Sequence, residues 1–323
     1  MANLRDRLSR IKDLNKHKLT VTELERETAG LPLSGNWEKC GFKVLKRNLI
    51  SELKYDFSHI HFSISILIPD ILGSENIKPE KFIFFDLETT GLGGSGTVAF
   101  LASFGSINKE NNFVITQYLL LDYPGEIDFL NLITAELENE NSMIVTYNGK
   151  SFDCQIVKSR CWINRLKTPL FKHADLLHPA RRLWKSIIQD CSQSSVESKI
   201  IGIDRVDDIP GSLAPEIWFE FLKTGNTERL IGICNHNIYD IKGLASIFEV
   251  IMEISNRFEN CKYKYDIERT AISFYKFAYQ QMKKGHYEKP LELIDIFINL
   301  LPDESYWKAR LNRRKVRLMK IIN

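Results

Sequence analysis

Asp86-Leu87-Glu88 closes the apolar run Phe82-Ile83-Phe84-Phe85. Residues two apart in a strand project to one face, so both carboxylates point the same way while Leu87 enters the opposite layer. Two like charges at the end of an apolar strand repel each other and lose hydration, which is costly unless a cation lies between them. Two further acids stand where they would complete such a site. Asp153 follows Asn148-Gly149-Lys150-Ser151-Phe152, after a short apolar strand and ahead of a helix. That place suits an N-cap or first-turn acid as well as a ligand. In Asn235-His236-Asn237-Ile238-Tyr239-Asp240, His236 and Asp240 are four apart and share a helix face. The histidine reads either as a proton acceptor or as a surface or core residue with a satisfied ring.

The chemistry these residue types suit is phosphodiester hydrolysis. It needs a nucleophile made from water and relief of charge on the non-bridging and leaving oxygens. Two divalent cations about 3.5–4 Å apart supply both effects. Hard carboxylate oxygens favour Mg²⁺ or Mn²⁺, and no Cys/His cluster is present to select zinc. A neutral His236 would accept the proton of the attacking water. Asn148 and Lys150 are candidates for substrate phosphate and equally for an ordinary loop amide and a solvated amine. His173, Asp175 and His178 suggest a second metal cluster, but capping by Asp175 with a phosphate-facing Arg181 or Arg182 is the preferred reading. Neither a GxxxxGK[ST] phosphate loop nor a GxSxG elbow occurs.

Several elements must position these groups. Phe82–Phe85 reads as a strand covered on both faces. Thr97–Gly105 and Phe113–Leu121 read as two more strands, and Thr89-Thr90-Gly91 as the turn leaving the carboxylates. Helices are expected over Ile127–Glu138, Cys154–Arg165 and Asn237–Ile254, with short strands at Met143–Tyr147 and from Phe171. Three successive strands followed by alternating helices and strands predict a mixed sheet with helices on its faces. On the His236–Asp240 helix face lies Gly243, which would let that face approach the sheet. Upstream, residues 1–18 predict a basic amphipathic helix. Phe42–Leu45 and the alternating Phe62–Ile66 predict short strands. Phe274–Gly285 and Tyr287–Leu301, ending at Pro302, resemble one tetratricopeptide-type helix pair. The expected division is 1–78 for an N-terminal segment, 79–255 for the carboxylate-bearing domain and 256–323 for a helical tail.

Charge follows this division unevenly. The 323 residues carry a net +3, with +4 in residues 1–20 and +5 in residues 303–323, leaving −6 for the middle. Basic ends on an acidic centre suit an anionic polymer cleaved at a carboxylate site, and they equally suit two solvated amphipathic helices. No apolar run approaches a membrane span, and the start MANLRDRLSR has no signal-peptide core, so a cytoplasmic protein is expected. The six cysteines include no CxxC pair and read as thiols in a reducing compartment.

Taken in order, FFDLETTGL, NGKSFD and HNIYDIKGL resemble the three motifs of the DEDD exonucleases within the ribonuclease H-like superfamily. GGSGTVAFLASFG, HADLLHPARRLWK and RVDDIPG narrow the resemblance to YprB-type predicted exonucleases, over about residues 80–250. The resemblance implies an α/β fold: a ribonuclease H-like mixed five-stranded sheet flanked by helices, plus a small helical tetratricopeptide-like C-terminal region. It implies metal-ligand roles for Asp86, Glu88, Asp153 and Asp240, and a general-base role for His236. It also suggests Thr89 and Leu92 as substrate contacts, Leu92 as an apolar wedge near the terminal base. The histidine branch of the wider group places its histidine five before the last aspartate, and the tyrosine branch a tyrosine four before. Here His236 stands at the tyrosine's spacing. The implied activity is a 3′–5′ exonuclease on DNA, with a link to DNA repair and a helicase as partner. A ribonuclease, a structure-specific nuclease and a non-catalytic nucleic-acid-binding scaffold are the alternatives.

Overall fold

A computed structural model describes residues 36–71, 78–91, 93–94, 96–206 and 208–322. The expected helix over 1–18, Leu92 and Asp207 lie outside the described residues. The strands are β1 (Glu38–Gly41), β2 (Val44–Ile50), β3 (Phe82–Thr89), β4 (Ala99–Ile107), β5 (Phe113–Leu120), β6 (Met143–Thr146) and β7 (Lys172–Asp175). The longer helices are α1 (Glu126–Leu137), α2 (Asp153–Ile163), α3 (Leu177–Trp184), α4 (Ala214–Thr224), α5 (Glu228–Asn256), α6 (Ile267–Lys283), α7 (Glu288–Leu300) and α8 (Tyr306–Ile322). The chain packs as two compact units that interleave along the sequence. The first runs to Lys54 and takes in Glu80–Lys172 and Arg205–Lys242; the second comprises Tyr55–Pro79, His173–Asp204 and the chain from Gly243. Two of the five crossovers between units fall inside β7 and inside α5.

Seven strands form one mixed sheet in the order β1-β2-β5-β4-β3-β6-β7, two more than the expected five. The hairpin β1–β2 accounts for the difference. β2 pairs antiparallel with β5 from Val44↔Leu120 to Ile50↔Val114, while β1 is a short strand whose register shifts between Lys39 and Gly41. β3 lies between antiparallel β4 and parallel β6. Its residues are nearly all buried, as a strand covered on both faces requires. Phe85 and Leu87 join the core with Phe129 and Ile133 of α1 and Trp218 of α4. The Trp218 ring stacks on Phe100 at 5.2 Å. Glu126 and Arg160 link α1 to α2 by a two-pronged ion pair of 2.5 and 2.6 Å. This bidentate geometry offsets the desolvation of two largely buried charges.

On the other face, Gly105 of β4 makes the close approach that was expected of Gly243. A Cβ at Gly105 would stand 2.5 Å from Ile241 Cγ2 of α5, so only glycine lets the helix settle there. Gly243 instead belongs to the second unit, where the buried Glu197 carboxylate occupies the space a Cβ would need.

The second unit is helical. Phe62–Ile66, expected as a strand, leads into a helical turn over Ile64–Leu67. Its alternating serines do not face water. Ser63 Oγ donates to the Ser255 carbonyl at 2.7 Å and Ser65 Oγ to the Phe62 carbonyl at 2.5 Å, so hydroxyls that mimic a polar strand face are satisfied internally. Trp184 Nε1 donates to the Lys264 carbonyl at 3.0 Å, and Phe297 stacks on Phe274 at 4.5 Å, fastening α3, α6 and α7. The C-terminal region is thus a helical layer of α6, α7 and α8. No described helix is long and apolar enough to cross a membrane.

Candidate active site

The strand period places Asp86 and Glu88 on the face that α5 covers. Asp86 lies opposite Ser103 of β4 and Glu88 opposite Leu101, with the register shifting just beyond Glu88 as the strand ends. From α5, Asn237 Nδ2 donates to Asp86 Oδ2 at 2.6 Å. Asp153 is the first residue of α2 and is buried. It therefore occupies the favourable end of the helix dipole while its charge acts on the strand acids. Glu88, His236 and Asp240 offer ligand atoms that all lie within 4.8 Å of one another.

The electrostatics are those of a crowded anionic site. Burial, then the charges of Asp240, Asp153 and Glu88, hold the Asp86 carboxyl well above the usual carboxylate range, with the Asn237 amide opposing them. Glu88 is raised well above its range by burial and by Asp240, Asp153 and Asp208. Such groups resist ionisation until a positive charge arrives. Oxygen-rich donors with one imidazole fit a hard divalent cation, and Glu88, His236 and Asp240 are the side chains whose atoms are close enough together to hold one.

Three participants escape a reading by motif alone. Arg205 Nη2 donates to Asp240 Oδ1 at 2.8 Å, and its Nη1 lies 3.3 Å from Asp208 Oδ2. Asp208 Oδ1 in turn lies 2.8 Å from His236 Nδ1, while His236 Nε2 faces Asp240 Oδ2 at 3.2 Å. The ring is held by carboxylates at both nitrogens. Close packing locks it: a Cβ on Gly211 would stand 2.7 Å from Nε2. The third is Asn237. Its Oδ1 accepts from Ser103 Oγ and from Gln117 Nε2, the latter at 3.3 Å, and Gln117 Oε1 accepts from Arg47 Nε at 2.8 Å. Asp86 is thereby aimed from behind by a buried polar chain reaching across β4, β5 and β2. Ser103 and Gln117 are polar interruptions in largely apolar strands, but Ser106 and Thr116 beside them are polar too, so the sequence does not single out the buried pair.

The remaining candidates take separate places. Thr89 Oγ1 donates to the Gly91 carbonyl at 2.8 Å, tying the turn after β3. Asn148 is exposed and left-handed (φ 65°), and Lys150 is half-buried beside it in the loop before α2. Arg181 and Arg182 belong to the second unit. Arg181 is exposed, whereas Arg182 Nη1 donates to the Leu67 carbonyl at 2.5 Å. Asp175 Oδ1 accepts from Leu177 N at 3.0 Å, two residues on, while the N-cap position of α3 is Leu176 and not Asp175.

A family profile described as the RNase H superfamily matches residues 83–252, the span that carries all four acids and the histidine. The chain belongs to the RNase H superfamily. A relative from Bacillus subtilis (strain 168), called uncharacterized protein YprB, is 34% identical to this RNase H-superfamily chain over 272 residues. The match covers 76% of this chain and 65% of that relative, so the chain spans slightly less than two thirds of the relative's length. Among solved structures, E. coli exonuclease I in complex with a dT13 oligonucleotide gives a TM-score of 0.32 at 17% identity, over 46% of this chain and 42% of that one. A family B DNA polymerase from Pyrobaculum calidifontis gives 0.43 at 12%, over 63% and 29%. Both scores lie below 0.5, too low to carry information about activity.

The raised carboxyls of this superfamily member have a measurable consequence. Because the folded state favours protonated Asp86 and Glu88, it binds more protons than the unfolded state between the ordinary carboxylate range and the raised values, and stability falls as pH rises through that window. We expect the melting temperature in EDTA to decline as pH rises above the ordinary carboxylate range. The Asp86→Asn/Glu88→Gln protein should show a flatter profile, and Mg²⁺ should flatten the wild-type one. Equal slopes for variant and wild type in thermal melts would refute the electrostatic account.

Proposed function

We propose that the chain is a metal-dependent 3′–5′ exonuclease acting on DNA, with Asp86, Glu88, Asp153 and Asp240 holding two divalent cations, Mg²⁺ or Mn²⁺. The observation that supports this reading is the convergence of buried carboxyls, where burial first and the charges of their neighbours second raise Asp86 and Glu88 well above the usual carboxylate range. When bound, the cations lower the barrier by activating water and relieving charge on the phosphate oxygens. His236 accepts a proton at Nε2, with Asp208 orienting the ring from Nδ1. Asn237 holds Asp86 in place, and Asn148 and Lys150 meet the phosphate from the loop before α2. Thr89 and Leu92 bound the terminal nucleotide, and Arg181 and Arg182 add positive charge for the strand. A helicase would supply the unwound ends in DNA repair, in the cytoplasm.

The test uses single strands labelled at either terminus, with Mn²⁺ or with EDTA. Digestion should release the 3′ label as mononucleotide at once and shorten the 5′-labelled strand stepwise. It should stop in EDTA. Parallel RNA strands and branched duplexes address the ribonuclease and structure-specific alternatives. Binding without hydrolysis under every divalent condition would leave the scaffold reading and sink the enzyme.

A further inference from the structure

A second basic surface lies in the helical unit. Arg310, Arg313, Arg314 and Arg317 recur at three- and four-residue spacing on α8, which places like charges side by side, an unfavourable arrangement on an isolated helix. Tyrosines of α6 and α8 offset part of that repulsion. The Arg314 guanidinium lies 3.9 Å and the Arg310 guanidinium 4.8 Å from the Tyr275 ring centre. Arg310 also donates to the Tyr275 hydroxyl at 2.9 Å and the Tyr306 hydroxyl at 2.7 Å. These contacts fix the guanidinium planes before any ligand arrives, cutting the entropy of binding. The groove so formed encloses about 780 Å³, and Lys283 joins the arginines in its lining, which contains no carboxylate among the described residues. Tyr279 and Tyr306, which also line it, are 47% and 59% exposed.

From this juxtaposition of arginines and partly exposed tyrosines in one groove with no carboxylate among its described lining residues, we propose that the α6–α8 surface binds single-stranded nucleic acid. Guanidiniums spaced along one helix face meet successive phosphates, and exposed tyrosines offer stacking platforms for unpaired bases. An acidic peptide would satisfy the charge but leave the rings unused. A duplex presents phosphates yet hides its base faces. The proposal does not depend on the reading of the carboxylate site.

Fluorescence anisotropy of a labelled oligo-dT of about 20 nucleotides, with the full chain in EDTA so that no strand is cut, tests it. Arg313 and Arg317 are exposed, so Arg313→Glu/Arg317→Glu should fold normally by circular dichroism. We expect it to bind at least about tenfold more weakly, with a salt dependence shallower by about one to two in log–log slope. Tyr279→Ala should weaken oligo-dT about fivefold or more while leaving an abasic strand unaffected. If the charge reversal unfolds, Arg313→Gln/Arg317→Gln replaces it under the same expectation. Unchanged affinity and slope in the arginine variant overturns the proposal. So does a neutral Tyr279→Ala combined with full displacement of oligo-dT by poly-glutamate, which would mark an acidic-peptide site. Mn²⁺-dependent cleavage of bis-p-nitrophenyl phosphate, read in parallel, should be untouched by the arginine variants. Loss of that cleavage in wild type would count against the nuclease reading alone.

Discussion

Asp86→Asn should lose on the order of 10³-fold or more of hydrolytic activity and melt no lower than the wild-type chain in EDTA. The two halves of that result have one cause. Burial disfavours the charge of Asp86, and repulsion from Asp240, Asp153 and Glu88 adds to it. An amide in its place keeps the shape and still accepts from Asn237 Nδ2, but carries no charge for a cation to neutralise. Removing a disfavoured buried charge stabilises the metal-free fold or leaves it unchanged, whereas an ordinary buried hydrogen-bonding acid would destabilise on substitution. Activity assays with Mn²⁺ and melts in EDTA read both. Full turnover would remove Asp86 from the site, and a marked drop in melting temperature would make it structural.

The second large effect separates His236 from Tyr239. We expect His236→Ala to lose about 10²- to 10⁴-fold in turnover while retaining Mn²⁺ and strand binding, and Tyr239→Phe to stay active. The His236 ring faces Asp240 through Nε2 and is anchored at Nδ1 by Asp208. Tyr239 points elsewhere on the helix, about 100° further round from Asp240, and is 36% exposed. An imidazole is also the better base at neutral pH than a phenol. Single-turnover kinetics beside calorimetric binding decide the matter. A dead Tyr239→Phe with near-normal His236→Ala would invert the assignment.

Much of the site is legible in sequence because each signal is local. Asp86 and Glu88 follow from a two-residue strand period inside an apolar run, Asp153 from a strand–loop–helix passage, and His236 with Asp240 from helical spacing. What stays hidden is held by long-range partners. Asn237 looks like any polar helix residue until Ser103, 134 positions away, and Gln117, 120 away, are brought to it. Arg205 and Asp208 lie in the RVDDIPG segment, whose residue types alone assign them no partner. The fold shows the same division. The β3–β5 strands and their helices declare themselves by apolar runs and turn residues. The β1–β2 hairpin does not announce which sheet it will join, and the serines of Phe62–Ile66 imitate a strand by facing carbonyls rather than water.

The hairpin's place in the sheet bears on how this protein is cut for study. A fragment trimmed to 79–255 would keep every acid of the site and still be a poor reagent. Without β2, the outer edge of β5 would lie bare from Val114 to Leu120, a long and mostly buried strand turned into a template for self-association. The native edge is β1, short, irregular in register and bearing exposed Glu38 and Lys39, which discourages a second chain from adding on. The same trim removes Arg47, the far end of the polar chain behind Asp86, and leaves Gln117 Oε1 without its donor. Colloidal behaviour and catalytic alignment would fail together, and a fragment meant to carry the chemistry must begin no later than Trp37, whose ring packs under the Arg47 guanidinium at 4.5 Å.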